Sequence, residues 1–170
     1  MTEGEQAVKI AVLMSGGVDS TVSALLLREQ GYEIMGLTMV NWDKQVAVEA
    51  AEVAQRLGIK HAIVDLSMIF REKVIDYFCR SYENLCTPNP CVECNKHIKF
   101  GALMELAHSM GCDRVATGHY ARIEYDSVQS RYLLKKGKDL AKDQSYFLYG
   151  LKQKQLANTM FPLGEYEKRQ

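Results

Sequence analysis

Residues 8–20 read VKIAVLMSGGVDS, and the fold turns on how this string changes character at Met14. An apolar run without polar alternation suits a strand buried on both faces of a parallel sheet. It breaks at Ser15, Gly16 and Gly17, and helical periodicity follows over residues 20–30, with Val22, Leu25 and Leu26 expected inside and Gly31 as the stop. A strand that turns through glycines into a helix builds an anion site. The helix start offers free N–H groups, the glycines let backbone approach an oxyanion, and Ser15 and Ser20 add hydroxyls. No lysine follows the glycines and the spacing is not GxGxxG, which excludes the two commonest phosphate loops. Asp19, a carboxylate beside an anion site, reads either as a magnesium ligand or as a helix cap.

Outward from this string, strands are expected at 33–40, 61–66 and 114–117, and helices at 46–57, 68–82 and 98–110. Gly31 and Gly58 mark two of the connections. Strand and helix in alternation define a doubly wound parallel α/β sheet of Rossmann-like type. Residues 120–136 read as an antiparallel hairpin hung on that sheet, and the tail from Lys142 as short helical pieces. The nucleotide-binding unit is expected over residues 1–150, with 151–170 opening a helical segment that is cut short.

The chain has 170 residues, 47% of them hydrophobic, enough for one core. Lysine plus arginine and aspartate plus glutamate both number 21, so nucleic acid would have to be met by a local patch. Lys96, His97 and Lys99 form one candidate and Lys135, Lys136, Lys138 and Lys142 another, although each also reads as ordinary solvated charge. No apolar run reaches the ~18 residues of a membrane span, and the N-terminus carries no signal-peptide pattern. A cytoplasmic protein is expected, with its five cysteines reduced.

Three of those cysteines cluster. Residues 86–95 read CTPNPCVECN, where the prolines argue for an exposed loop with a helix starting close behind Cys94. A thiol at a helix start, next to Lys96, would favour its thiolate. Cys86, Cys91 and Cys94 are spaced C-x4-C-x2-C, compatible with three ligands of a [4Fe-4S] cluster, with zinc if His97 joins, or with free thiols of which Cys94 is the reactive one. Cys79 and Cys112 read as small buried apolar residues. His119 reads as a base, a phosphate contact or a structural histidine, and His61 and His108 carry no assigned role.

SGGVDS after an apolar strand resembles the pyrophosphate-binding loop of the N-type ATP pyrophosphatase (PP-loop) superfamily. TPNPCVECN followed by IKFGAL is similar to the signature of the tRNA-specific 2-thiouridylases within it. GLTMVNW (residues 36–42), ATGHYAR (116–122) and KDQSYFLYGL (142–151) extend the resemblance along nearly the whole chain. The resemblance implies ATP contacts at Leu13, Met14, Ser15, Gly16, Gly17, Val18, Asp19, Ser20, Met39 and Gly118. It implies target-base contacts at Asn89, Pro90 and Cys91, a nucleophile at Cys94, and tRNA contacts at Lys142, Asp143 and Gln144. ATP and Mg²⁺ are the implied cofactors, tRNA the implied partner, and a persulfide carrier or sulfide the implied sulfur donor. Adenylation of the wobble uridine C2 oxygen would then precede its replacement by sulfur. The family's second catalytic cysteine falls beyond Gln170, and Cys86 stands where the family usually has glycine. An amide-forming synthetase on the same loop and a nucleotide-binding module with a structural metal are the alternative readings.

Overall fold

The computed structural model describes residues 7–41 and 45–169. Strand β1 (Lys9–Leu13) leads into helix α1 (Val18–Glu29), β2 (Glu33–Val40), α2 (Gln45–Leu57) and β3 (Lys60–Asp65). A long helical run follows, α3 (Ser67–Phe70) and α4 (Asp76–Glu83) joined by a π-helical stretch, Arg71–Ile75. A second run joins α5 (Pro90–Glu93), a π-helical segment Cys94–Ala102 and α6 (Leu103–Ser109). The chain continues through β4 (Arg114–Ala116), the antiparallel pair β5 (Ala121–Asp126) and β6 (Arg131–Lys136), α7 (Gln153–Ala157) and β7 (Thr159–Met160).

The main sheet has the order β3-β2-β1-β4-β7 and every pairing in it is parallel. Strand β1 is central, and its side chains alternate between two cores as the pleat requires. Ala11 packs on one side with Leu37, Phe100, Leu103 and Val115. Ile10, Val12 and Met14 pack on the other with Ala24, Leu27, Ala50 and Ala54. Helices α1 and α2 cover the second face and α6 with the π-segment the first, giving the doubly wound architecture expected from the alternation of elements.

Several expectations are corrected. Helix α1 turns Ser20, Ser23, Ala24 and Leu27 inward, while Val22 is exposed; small residues let this helix approach the sheet closely. The proline loop is shorter than expected, because Pro90 opens α5 with Asn89 as its cap, and the fixed φ of proline suits a first helical position. The hairpin is a separate two-stranded sheet rather than an extension of the main one. The tail adds β7, which pairs with β4, a strand of two residues too short for any periodicity to reveal. Cys79 is exposed, whereas Cys112 is buried as expected. Trp42, the last residue of the GLTMVNW string, lies outside the described residues.

Candidate active site

β2 and β4 flank β1 on opposite sides, so the chain's path through the sheet reverses there and leaves a crevice at the strands' carboxyl ends. The glycine loop follows β1 into this crevice and Thr117-Gly118 follows β4. Gly16 takes φ +75°, and a Cβ on it would stand 2.9 Å from Glu49 Cβ. Gly17 caps α1 in extended conformation. Ser20 donates its hydroxyl to the Gly17 carbonyl at 2.9 Å and accepts from the Ser15 N–H at 3.3 Å, which locks the loop. A Cβ on Gly118 would lie 2.9 Å from the Asp19 carbonyl carbon and 3.0 Å from the Ser20 nitrogen. The two turns therefore meet this closely only because Gly118 carries no side chain.

The crevice holds a cavity of about 260 Å³. Leu13, Met14, Ser15, Asp19, Ser20, Met39 and Gly118 line it, as do Leu37, Asn41, Val46, Lys99, Leu103, Thr117, His119 and Gln144. Gly16, Gly17 and Val18 form the loop backbone but are not among the lining residues. Lys99, expected on a basic surface patch, is instead in the cavity wall. Gln144, expected at a tRNA surface, lines the cavity too, and its amide oxygen accepts from the Tyr120 N–H at 3.0 Å. Asp143 accepts from the Gly137 N–H at 2.9 Å and the Ser145 hydroxyl at 2.8 Å, and Lys142 is exposed. Burial works against the Asp143 carboxylate, but these bonds outweigh it and hold its pKa below the usual range.

Asp19 does not cap α1, whose cap has no side-chain hydrogen bond. Its carboxylate takes the Lys168 ammonium on both oxygens, at 2.8 and 3.0 Å, and the Tyr120 hydroxyl at 3.3 Å. Lys168 also lies 5.7 Å from the Tyr120 ring centroid. His119 is packed against Phe100 and Phe161, and its Nδ1 lies 2.6 Å from the Thr117 hydroxyl. Burial, with the Lys99 charge added, pushes its pKa down to about 3, so it stands neutral and its place as a base is limited to that form. His61 Nε2 lies 2.8 Å from the Thr38 hydroxyl, which bonds the Met14 carbonyl at 2.9 Å and braces the strand end that precedes the loop.

The cysteine segment forms the opposite wall. Cys94 ends α5 and begins the π-segment, so it does not occupy the exposed helix start expected for it. It packs with Phe70, Val74 and Ile98 against Met39, which also lines the cavity. Burial pushes the Cys94 thiol up from its ordinary pKa; Lys99 opposes this and Cys91 adds to it. The resting thiol is therefore favoured, and the nearby cation that tempers it is Lys99, not Lys96. Asn89 caps α5 by accepting from the Val92 N–H at 3.4 Å, and Cys91 is exposed. Asn95 donates to the Phe147 carbonyl at 3.0 Å while its own oxygen is buried without a partner.

Among the described residues no three histidine, cysteine, aspartate or glutamate side chains are grouped to hold a metal ion. Cys86 follows Leu85, which takes φ 58°, and it is exposed like Cys91. As arranged, the three thiols do not make a cluster's ligand set, and no chemical step is assigned to one. His97 pairs with Glu93 at 3.2 Å rather than with the thiols. No described helix is long and apolar enough to cross a membrane.

Fold and crevice together define a doubly wound α/β nucleotide-binding domain with a glycine loop at its switch point. The family model described as tRNA methyl transferase HUP domain matches residues 8–170. The tRNA-specific 2-thiouridylase MnmA of Syntrophomonas wolfei is 59% identical over 163 residues, covering 96% of this chain and 48% of that protein. MnmA 2 of Thermoanaerobacter sp. is 50% identical over 177 residues, with 95% of this chain and 49% of that one covered. The chain belongs to this family, that of the tRNA-specific 2-thiouridylases. It spans about half the length of these relatives. A solved structure described as a predicted subunit of tRNA methyltransferase, from Methanocaldococcus jannaschii, shares the fold at TM-score 0.60 and 21% identity, over 95% of this chain and 71% of that one.

Proposed function

We propose that the chain is the ATP-binding, adenylating part of a tRNA-uridine 2-sulfurtransferase. The observation that carries this is the shared wall: the helical run bearing Cys94 contributes Lys99 and Leu103 to the same cavity that the glycine loop enters through Ser15 and Asp19. A cradle for a leaving pyrophosphate is thus walled by the helical run that carries Cys94, although Cys94 itself is not among the lining residues. The uridine C2 oxygen attacks the α-phosphorus as the bond to pyrophosphate breaks. A sulfur nucleophile then adds to C2, and AMP departs with the electron pair of the C–O bond. Hydrosulfide supplies that sulfur directly, or a persulfide does so as a second thiol breaks its S–S bond.

Ser15, Gly16, Gly17, Val18 and Ser20 would surround the pyrophosphate, and Leu13, Met14, Met39 and Gly118 the nucleoside. Positioning and fixed dipoles carry most of such a reaction. Magnesium, when bound, offsets the charge on the leaving group, with Asp19 the carboxylate to hold it in place of Lys168. Asn89, Pro90 and Cys91 would frame the target base, Cys94 act as the thiol nucleophile, and Lys142, Asp143 and Gln144 lie along the tRNA.

Support for an RNA partner also comes from Tyr146 and Tyr149, both 67% exposed. Their rings stand 6.0 Å apart on a turn that Asn95 ties to the cysteine segment, and exposed aromatic rings stack bases. The test is incubation with ATP, Mg²⁺, sulfide and unmodified tRNA, reading AMP and, by nucleoside mass spectrometry, 2-thiouridine. AMP is expected only when tRNA is present. ATP binding without tRNA-dependent AMP would instead identify a binding module, and AMP formation with a small carboxylate or amide substrate a synthetase.

A further inference from the structure

We infer that Lys99 receives the α-phosphate of the nucleotide and that the π-helical winding of Cys94–Ala102 exists to put this ammonium and the Cys94 thiol on one side of the segment. The inference rests on the adenylating reading and names a residue within its site.

Lys99 lines the cavity together with Ser15, Asp19 and Gly118. It is half-buried, yet among the described residues it has no hydrogen bond and no ion pair. The other cation at this cavity's edge, Lys168, is taken up by Asp19. A cation in a cleft without a counter-charge lacks the compensation that partly buried charges normally find, and an anion entering the cleft supplies it. The segment's winding explains how Lys99 comes to be there. In an α-helix residues five apart point about 140° away from one another. A π-helix, whose hydrogen bonds close on the fifth residue, turns less per residue, so residues five apart fall on the same side. Cys94 and Lys99 lie five residues apart within the π-segment, which runs from Cys94 to Ala102. Lys99 acts on two groups at once, tempering the Cys94 thiol and adding to the burial that keeps the His119 imidazole neutral.

During adenylation the bond from uridine oxygen to α-phosphorus forms as the bond to the bridging oxygen breaks, and pyrophosphate leaves with the electron pair. Lys99 balances the charge that stays on the α-phosphate. The same ammonium then faces AMP as it leaves C2 beside the thiol. The glycine loop, which cradles pyrophosphate, has no such cation for the part of the nucleotide that remains.

Binding of AMP and of adenosine to the wild-type chain and to Lys99→Met and Lys99→Arg, by isothermal titration, tests this without tRNA or turnover. Lys99→Met is expected to weaken AMP about tenfold or more with adenosine unchanged, and Lys99→Arg to restore most of the AMP affinity. Iodoacetamide alkylation across pH, read on the Cys94 peptide by mass spectrometry, is expected to shift its midpoint upward in Lys99→Met. Unaltered AMP affinity, or equal loss of AMP and adenosine, overturns the inference. The tRNA reading fails separately: phosphate-selective binding through Lys99 would persist in a protein that releases no AMP with tRNA.

Discussion

On the glycine-loop side of the cleft, polar groups are already engaged: Ser20 closes on Gly17, Thr21 donates to the same carbonyl at 3.0 Å, and Asp19 is paired with Lys168. On the cysteine side, where Asn89 caps α5 and His97 pairs with Glu93, others are left over. Asn95 keeps a buried oxygen without a partner, Lys99 has no counter-charge among the described residues, and Cys94 is held in its thiol form by burial. The geometry of the loop is closed by its own hydrogen bonds before any ligand arrives. The cysteine segment is built to be completed, because an unpaired buried acceptor costs about 1–3 kcal/mol until something satisfies it. Of these groups Lys99 lines the cavity, so a preorganised loop and an unpaired cation share its wall.

The strongest way to break the contrast is at Asp19. Asp19→Ala is expected to lower tRNA-dependent AMP release by at least about a hundredfold without unfolding the chain; release near the wild-type rate would remove Asp19 from the charge-handling part of the loop. Next comes the contact between the two turns. Gly118→Ala puts a Cβ against the Asp19 and Ser20 backbone, which cannot move aside as a side-chain tip would. About 1–3 kcal/mol should be lost in urea unfolding, with adenosine binding weakened in parallel.

A smaller effect is expected from acid. His119 has a folded pKa of about 3 against 6.5 ordinarily, so the unfolded chain takes up a proton that the folded chain refuses. Its contribution is complete above about pH 6.5 and is lost as pH falls towards 3, making the protein on the order of 1–2 kcal/mol less stable at pH 5 than at pH 7. His119→Gln should flatten that part of the profile, and an unchanged slope would assign it to other groups. Smallest is the cap of α5: at 3.4 Å the Asn89 bond is long, and Asn89→Ala should cost only about 0.5 kcal/mol in thermal or urea melts. A much larger loss would mean that Asn89 organises more of the loop than its helix.

The loop side was legible in the sequence because each of its features is local. A strand, two glycines and a serine three residues on suffice to specify it, and residues 33–40 emerge as a strand with the expected bounds. The cysteine side was legible in its residues but not in its geometry. Lys99 reads as part of a basic patch because Lys96 and His97 precede it, and helical periodicity assumes 3.6 residues per turn. A π-segment obeys another period, so the face that Lys99 shares was hidden. Cys94 follows the same rule: two prolines in the string argue against a helix, whereas Pro90 begins one, leaving Cys94 packed against the Phe70, Val74 and Ile98 cluster rather than at an exposed end. Gln144 and Lys168 reach the cleft only through contacts with residues 24 and 149 positions away, which no short motif encodes.

The wide helix from Cys94 to Ala102 also fixes something that the side chains alone do not carry, namely a pitch. Relaxing the segment into ordinary α winding at its present length would keep every chemical group, yet the thiol and the ammonium, five residues apart, would swing to about 140° from one another. Winding is therefore as much an inherited character of this site as cysteine or lysine is.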